Sequence, residues 1–353
     1  AVHPLRIESV YWVSERKDVL CGLFYILTLL AWVEARKRTG RKAALLLGLS
    51  FLAFLLAGFS KAMAVTIPLI LIALEVTMPQ PEGRRSRALV LAFLSILAVG
   101  FAYLNLSVQT EAIRASSSLK SRALDALTAP AWYAWKTLWP HPLAHVYPVP
   151  ERLWLHPLPL ALAVFFFIAC AGLLAWSIWR RTRGLAFGFL AAGFALGPVS
   201  GIIPIGGTFA ADRYSYIPTL LLFMGIGMEI TPRLAERPRA QKAITLVFVI
   251  TGLALSAVIS PPYLRSWRDD ASLEGNLAKN FPRSVRVQIT ALREQWLAGR
   301  QPRLEDAIAI GLTPGEAEKE VRKFQLRNRV LDQQTTETTT AASPNAELGT
   351  EEQ

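Results

Sequence analysis

The chain has 353 residues, of which 52% are hydrophobic and only 18% charged, and its mean hydropathy is +0.34. Soluble globular chains carry about 25% charged residues, so this deficit favours a bilayer over one large aqueous core. A net charge of +12 and an isoelectric point near 10.0 would suit nucleic acid if the cations formed a soluble patch, but they punctuate apolar runs, and no nucleic-acid partner is expected.

Crossing a hydrocarbon core of about 30 Å takes roughly 17–25 mostly apolar helical residues, because every backbone N–H must be bonded within the segment. The composition predicts an all-α polytopic membrane protein with about eight such spans: Val19–Ala35, Ala43–Phe59, Ala62–Met78, Ala88–Leu106, Leu158–Trp179, Leu185–Ile205, Tyr214–Ile230 and Ala243–Ser260. The third carries Pro68 and Glu75, and the seventh is short. Arg36 to Lys42, Arg84 to Arg87, Arg180 to Arg183 and Arg233 to Lys242 make every second loop basic, which predicts those four loops in the cytoplasm. Residues 1–18, the Ser60–Lys61 turn, the outer loop 107–157, the loop 206–213 and everything after Ser260 then lie outside. The run Ala123–Trp139 would reverse that parity as a ninth span, and Asp125 and Lys136 interrupt it. It reads as an interfacial helix with Trp132, Tyr133, Trp135 and Trp139 at the headgroups. Prolines 140, 142, 148, 150, 157 and 159 predict a stiff, non-helical stretch after it.

Beyond the membrane domain, 1–260, the region 261–331 turns polar, with helical periodicity through Leu273, Leu277, Val285, Ile289, Leu292 and Leu297. The spacing of Leu292, Gly299, Ala307 and Pro314 loosely resembles one tetratricopeptide unit, or a simple helical hairpin. The tail 332–353 lacks apolar anchors and is expected to be disordered.

No phosphate-binding loop, dinucleotide fingerprint, zinc-protease or serine-hydrolase motif is present in the sequence. Cys21 and Cys170 lie in apolar stretches and build neither a disulfide framework nor a cysteine metal site. His141 and His145 are four apart, but Pro140 and Pro142 oppose the helix that would align them on a metal. Polar residues kept at the outer membrane face are more informative. His3, Glu8, Trp12, Glu15, Arg16, Lys17 and Asp18 precede the first span, with Glu8, Trp12 and Glu15 at helical spacing; a juxtamembrane charge belt is the competing reading. Lys61 sits between two spans, where it either meets a ligand or snorkels. Asp212, Arg213, Tyr214 and Tyr216 follow a glycine pair, and Arg213 offers a planar fork for phosphate or carboxylate; a helix-terminating loop is the competing reading. Together the three clusters predict a cationic, aromatic-lined pocket at the outer leaflet, suited to a lipid-linked phosphosugar.

The stretch His3–Leu20, the Ser60–Pro68 turn, the Lys136–Pro140 to Tyr147–Pro148 loop and Ala211–Pro218, in that order, resemble the transmembrane and tetratricopeptide-repeat family of GT-C glycosyltransferases over roughly residues 1–270. The resemblance implies a GT-C type membrane domain that transfers mannose or a related sugar from a polyprenyl-phosphate donor to Ser/Thr of acceptor proteins outside the cytoplasm, with the repeats on that same side. It further implies that Arg213 and Lys61 serve the donor phosphate with Arg16 and Lys17 in support, that Glu8, Asp18 and Asp212 position groups, and that His3, Trp12, Tyr214 and Tyr216 line the sugar or lipid path. The family's acidic pair lies ahead of the His-Pro motif. The sequence opens at Ala1 without Met or a signal pattern, so the chain reads as a fragment whose general base would precede Ala1. No cofactor is expected, because the lipid-linked sugar is a substrate, and a divalent metal stays open. The expected location is a bacterial inner membrane with the C-terminal region periplasmic. A non-catalytic membrane scaffold and a lipid-linked sugar transporter are the alternatives, the latter ranked last because no internal repeat is apparent.

Overall fold

The computed structural model describes residues 3–108, 119–147, 157–202, 210–282 and 284–326 except 311, 313 and 316. Gly206, Gly207, His156 and the 332–353 tail therefore lie outside the described residues. The described residues are almost wholly helical, with one isolated antiparallel bridge, Tyr147 to Ala210.

Among the described residues, six helices are long and apolar enough to cross a membrane, which fits an integral membrane protein. After a short helix α1 (Ile7–Tyr11), α2 (Arg16–Ala35) and α3 (Gly40–Ser60) form a hairpin, and α4 (Ile67–Thr77) and α5 (Arg84–Val108) follow. Then come α6 (Leu119–Leu138), α7 (Pro157–Trp179), α8 (Arg183–Leu196), α9 (Tyr216–Ala235) and α10 (Pro238–Ser266). The third and sixth predicted spans are shorter than expected. A 3-10 segment, Ala62–Thr66, precedes α4 and places Pro68 in the helix's first turn, where its missing N–H costs nothing. The resulting apolar stretch Ala62–Thr77 is about 24 Å long at 1.5 Å per residue, short of a full crossing. The sixth ends as helix at Leu196, with a turn to Val199.

The core lies among α2, α3, α4 and α8, where Tyr25, Trp32, Phe54, Ile67, Ile70 and Leu74 are buried. Hydrogen bonds between neighbouring segments supplement apolar packing: Tyr25 Oη lies 2.9 Å from Thr66 Oγ1, and Ser50 donates to the Thr28 carbonyl at 3.0 Å. Small residues let α8 and α9 touch through their backbones. A Cβ at Gly225 would sit 2.4 Å from Gly188 Cα, and one at Gly184 would sit 2.8 Å from the Gly225 carbonyl. This close approach is the packing device of helices that gain little from hydrophobic sorting.

Two expectations for the segment 123–159 change. In α6, Tyr133 and Lys136 are buried, while Trp135 and, just past the helix end, Trp139 are more than half exposed, so only part of the supposed aromatic belt is exposed. The i, i+3 spacing turns 133 and 136 together toward residues 211 and 142. Pro157 and Pro159 open α7 instead of stiffening a loop, since proline's fixed φ suits the first helical turn.

The first compact unit runs to Asn280, past the boundary at Ser260. Tyr263 packs with Leu5 and Leu143, and in α11 (Asp270–Asn280) Asn276 donates to the Leu143 carbonyl at 2.9 Å. In the second unit, α12 (Val285–Leu297), α13 (Leu304–Ala309) and the helical residues 317–326 close on Leu292, Trp296, Ala307, Ala317 and Phe324. Gly299, at φ +101°, turns the chain between the first two. Leu297, expected inward, is 62% exposed, and Trp296 takes its place against Phe324, 5.2 Å between ring centres.

Candidate functional site

The sequence-predicted residues of the first, second and third clusters meet at one end of the helical bundle. The N-terminal segment does not form the continuous helix that the Glu8, Trp12, Glu15 spacing predicts. Helix α1 ends at Tyr11, Trp12 is extended, and a 3-10 turn, Val13–Glu15, leads into α2. Glu8 and Glu15 nonetheless converge, because each reaches the same partner from its own turn. The Arg213 backbone N–H donates to Glu8 Oε2 at 2.9 Å, the Arg213 guanidinium bonds Glu8 Oε1, and Arg213 Nε lies 3.7 Å from Glu15 Oε1. Glu15 also faces Lys61 Nζ at 3.2 Å and Lys17 Nζ at 3.5 Å, while Lys61 bonds Asp18 Oδ1. The Arg213 guanidinium lies 5.6 Å from the Trp12 ring centre and 4.9 Å from that of Tyr214, within cation–π range.

A second network adjoins the first through the Asp212–Arg213 peptide. Tyr147 donates its hydroxyl to Asp212 Oδ1 at 2.8 Å, while Asp212 Oδ2, in a residue only 2% exposed, has no hydrogen-bond partner among the described residues. Lys136 donates to the Pro142 carbonyl at 2.6 Å, and its Nζ lies 5.0 Å from the Trp132 ring centre and 5.3 Å from that of Tyr147. Arg6 donates to Thr219 Oγ1 at 3.0 Å and lies over the Tyr216 ring at 5.5 Å. His3 caps the first turn: Nδ1 accepts from the Leu5 N–H at 3.3 Å, which leaves Nε2 to donate to the Thr137 carbonyl at 3.0 Å. That tautomer is the neutral one.

Burial sets the electrostatics. It raises the Glu8 carboxyl above its ordinary range against the pull of Arg213, brings Lys136 down to about 8 despite Asp212, and lowers Arg6 to about 10. The His3 imidazole is likewise lowered by burial and by Arg6. In a low-dielectric site such groups disfavour their charged forms unless paired. Here four carboxyl groups, Glu8, Glu15, Asp18 and Asp212, face four basic groups, Arg6, Lys61, Lys136 and Arg213, so each buried group has an opposite partner nearby. Arg16 and Lys17 are exposed beside them and leave a cationic excess at the rim. Among the described residues, no group of three or more His, Cys, Asp or Glu side chains is placed to hold a metal ion.

Glu15 is the hub of the first network, and Arg6, Lys136 and Tyr147 carry much of the second. Sequence reasoning placed Glu15 in the first cluster without giving it a role, and singled out none of Arg6, Lys136 and Tyr147 as a site residue, although each lies inside a quoted motif. Their shared feature was legible only as chemistry: polar groups spaced among residues fit for burial.

Over 42 residues, 12% of this chain, the sequence is 48% identical to the protein O-mannosyl-transferase TMTC4 of Mus musculus, and the matched stretch is 6% of that protein's length. No family model matches the chain, and no solved structure matches it. The short match points to a glycosyltransferase, and the long apolar helices to a membrane protein.

Proposed function

We propose that this chain is a GT-C type glycosyltransferase domain that moves mannose or a related sugar from a polyprenyl-phosphate donor to Ser/Thr hydroxyls of acceptor proteins on the extracytoplasmic side of a bacterial inner membrane. The observation that carries the reading is the meeting of Glu8, Glu15, Asp18, Lys61 and Arg213 at one end of long apolar helices, beside the exposed cations Arg16 and Lys17. A lipid-linked donor presents its phosphate at headgroup level with its chain in the bilayer, where the Arg213 guanidinium, held over two aromatic rings, and the Lys61 ammonium meet it. In the transfer, the acceptor hydroxyl oxygen bonds the anomeric carbon as the carbon–oxygen bond to phosphate breaks. The hydroxyl proton passes to a carboxylate, and the polyprenyl phosphate leaves with the negative charge that Arg213 and Lys61 stabilise. Glu8, Asp18 and Asp212 hold these cations and the Tyr147 hydroxyl in place, while His3, Trp12, Tyr214 and Tyr216 border the path.

The non-catalytic scaffold remains the second reading, favoured by one observation: Lys61 and Arg213 already have carboxylate partners, as a purely structural lock requires. Titrating the detergent-solubilised intact protein with polyprenyl-phosphate mannose and polyprenyl-phosphate glucose separates the two. Saturable binding of at least one donor, weakened at least tenfold in a folded Arg213→Ala variant, is the outcome expected of the transferase. Absence of binding to both lipids by the wild type supports the scaffold.

A further inference from the structure

At the end of the bundle away from Lys61 and Arg213, α3 and α5 part around a cavity of about 790 Å³. Its walls are apolar, from Ala43, Leu47 and Gly48 on one side to Leu89 and Val90 on the other, and Arg38, Gly83 and Ser86 stand at its rim. Phe51 and Phe93 close the inner end, with ring centres 5.5 Å apart. From Gly40 to Phe51 the helical rise is about 17 Å, and from Gly83 to Phe93 about 15 Å, each close to half of a hydrocarbon core of about 30 Å. The groove is thus one leaflet deep.

Charge at the rim is predominantly basic. Segments 36–42 and 84–87 together hold eight Lys and Arg residues, against the carboxylates of Glu34, Glu75 and Glu82 beside them. Arg87 is committed to Glu75, at 2.9 and 3.1 Å, and to the Gln80 carbonyl at 2.6 Å, so it forms part of the wall. Arg38 differs: its partner Glu34, at 2.8 Å, is an exposed neighbour one helical turn away. Surface pairs of that kind contribute little and are readily exchanged for another anion.

The geometry points to a binding site for one anionic glycerophospholipid of the leaflet on the basic-loop side, with an acyl chain along Gly48 and Val90 and its phosphate at Arg38 and Ser86. One-leaflet depth selects a lipid tail as the occupant, and the basic rim selects an anionic headgroup. The site lies at the far end of α2 from the proposed donor site and does not depend on transferase activity.

The test is native mass spectrometry of the detergent-solubilised intact chain, incubated with phosphatidylglycerol or phosphatidylcholine of matched acyl chains. Expected is one retained phosphatidylglycerol, favoured about fivefold or more over phosphatidylcholine, with the preference falling about fivefold in Arg38→Gln. A Cβ at Gly48 has nothing within 4 Å, so Gly48→Phe fills the groove and abolishes retention. Gly172, on α7 and equally open, gives the control Gly172→Phe, which retains the lipid. Should Gly48→Phe not fold, Arg38→Gln decides by itself, since that side chain is exposed. Equal retention of both lipids, no retained lipid, or retention unchanged in Gly48→Phe overturns the proposal. So does a dimer of wild type and Gly172→Phe that Gly48→Phe dissolves, which would assign the groove to a second copy of the chain.

Discussion

Glu8 carries two roles with one side chain: it accepts from the Arg213 backbone and pairs its guanidinium, with no solvent exposure of its own. Removing one partner of a buried pair strands the other charge, at about 3–5 kcal/mol. Glu8→Ala is therefore expected to lower the thermal midpoint of the detergent-solubilised protein well below that of Lys17→Ala, whose side chain is about half exposed. A comparable drop in both variants would mean that burial at Glu8 is not what holds Arg213. Asp125 supplies the pH test. Desolvation raises its carboxyl from 3.8 to about 6, so between those values the folded state holds a proton that the unfolded chain has lost. Its stability contribution is full below about pH 4 and declines as pH rises through 6. Unfolding midpoints measured across that window should fall with pH more steeply in the wild type than in Asp125→Asn; parallel curves refute the assignment. The types of these residues were legible in the sequence. Their pairings were not, because Glu8 and Arg213 lie 205 positions apart and nothing local couples them.

At the level of elements, apolar length identifies the long helices directly, since one sufficiently apolar run needs no partner to satisfy its own backbone. Breaks depend on finer chemistry. Pro68 looks like an interruption in a hydropathy profile, yet as a first-turn residue it marks where a 3-10 segment hands over to α4. The α8–α9 contact is set by absence of side chains: Gly225→Ala puts a methyl against Gly188 Cα and the Gly184 carbonyl, both backbone atoms that cannot rotate aside. A loss of about 1–3 kcal/mol follows from overpacking, read as a reduced thermal midpoint. Gly227 has nothing within 4 Å of its would-be Cβ, so Gly227→Ala is expected to be neutral or slightly stabilising through helix propensity. Equal effects at the two glycines would show that propensity, not close approach, governs the pair.

For the whole first unit, polar clusters mark the two ends of the bundle. Glu15, Asp18, Lys61 and Arg213 gather at one end. At the other, Trp32 Nε1 donates to Glu75 Oε1 at 2.9 Å, Arg36 Nε lies 3.4 Å from the same oxygen, and Arg87 binds both carboxylate oxygens. Asp18 and Arg36 bracket α2, about 27 Å apart along its axis, a separation near the thickness of a hydrocarbon core. Impermeant maleimide should accordingly label Ser14→Cys and Thr39→Cys from opposite sides of sealed vesicles. Labelling of both from one side would refute the crossing of α2. The sequence by itself determined the helical class, the place of the long apolar segments, and the alternation of basic loops, because a bilayer imposes its demands on each segment separately. Only the tertiary structure decided that Glu15 is a hub, that Lys136 and Tyr133 face inward, and that Lys61 and Arg213 are held by carboxylates. Those outcomes arise from desolvation and charge pairing between distant parts of the chain, and they exist only once the helices have packed.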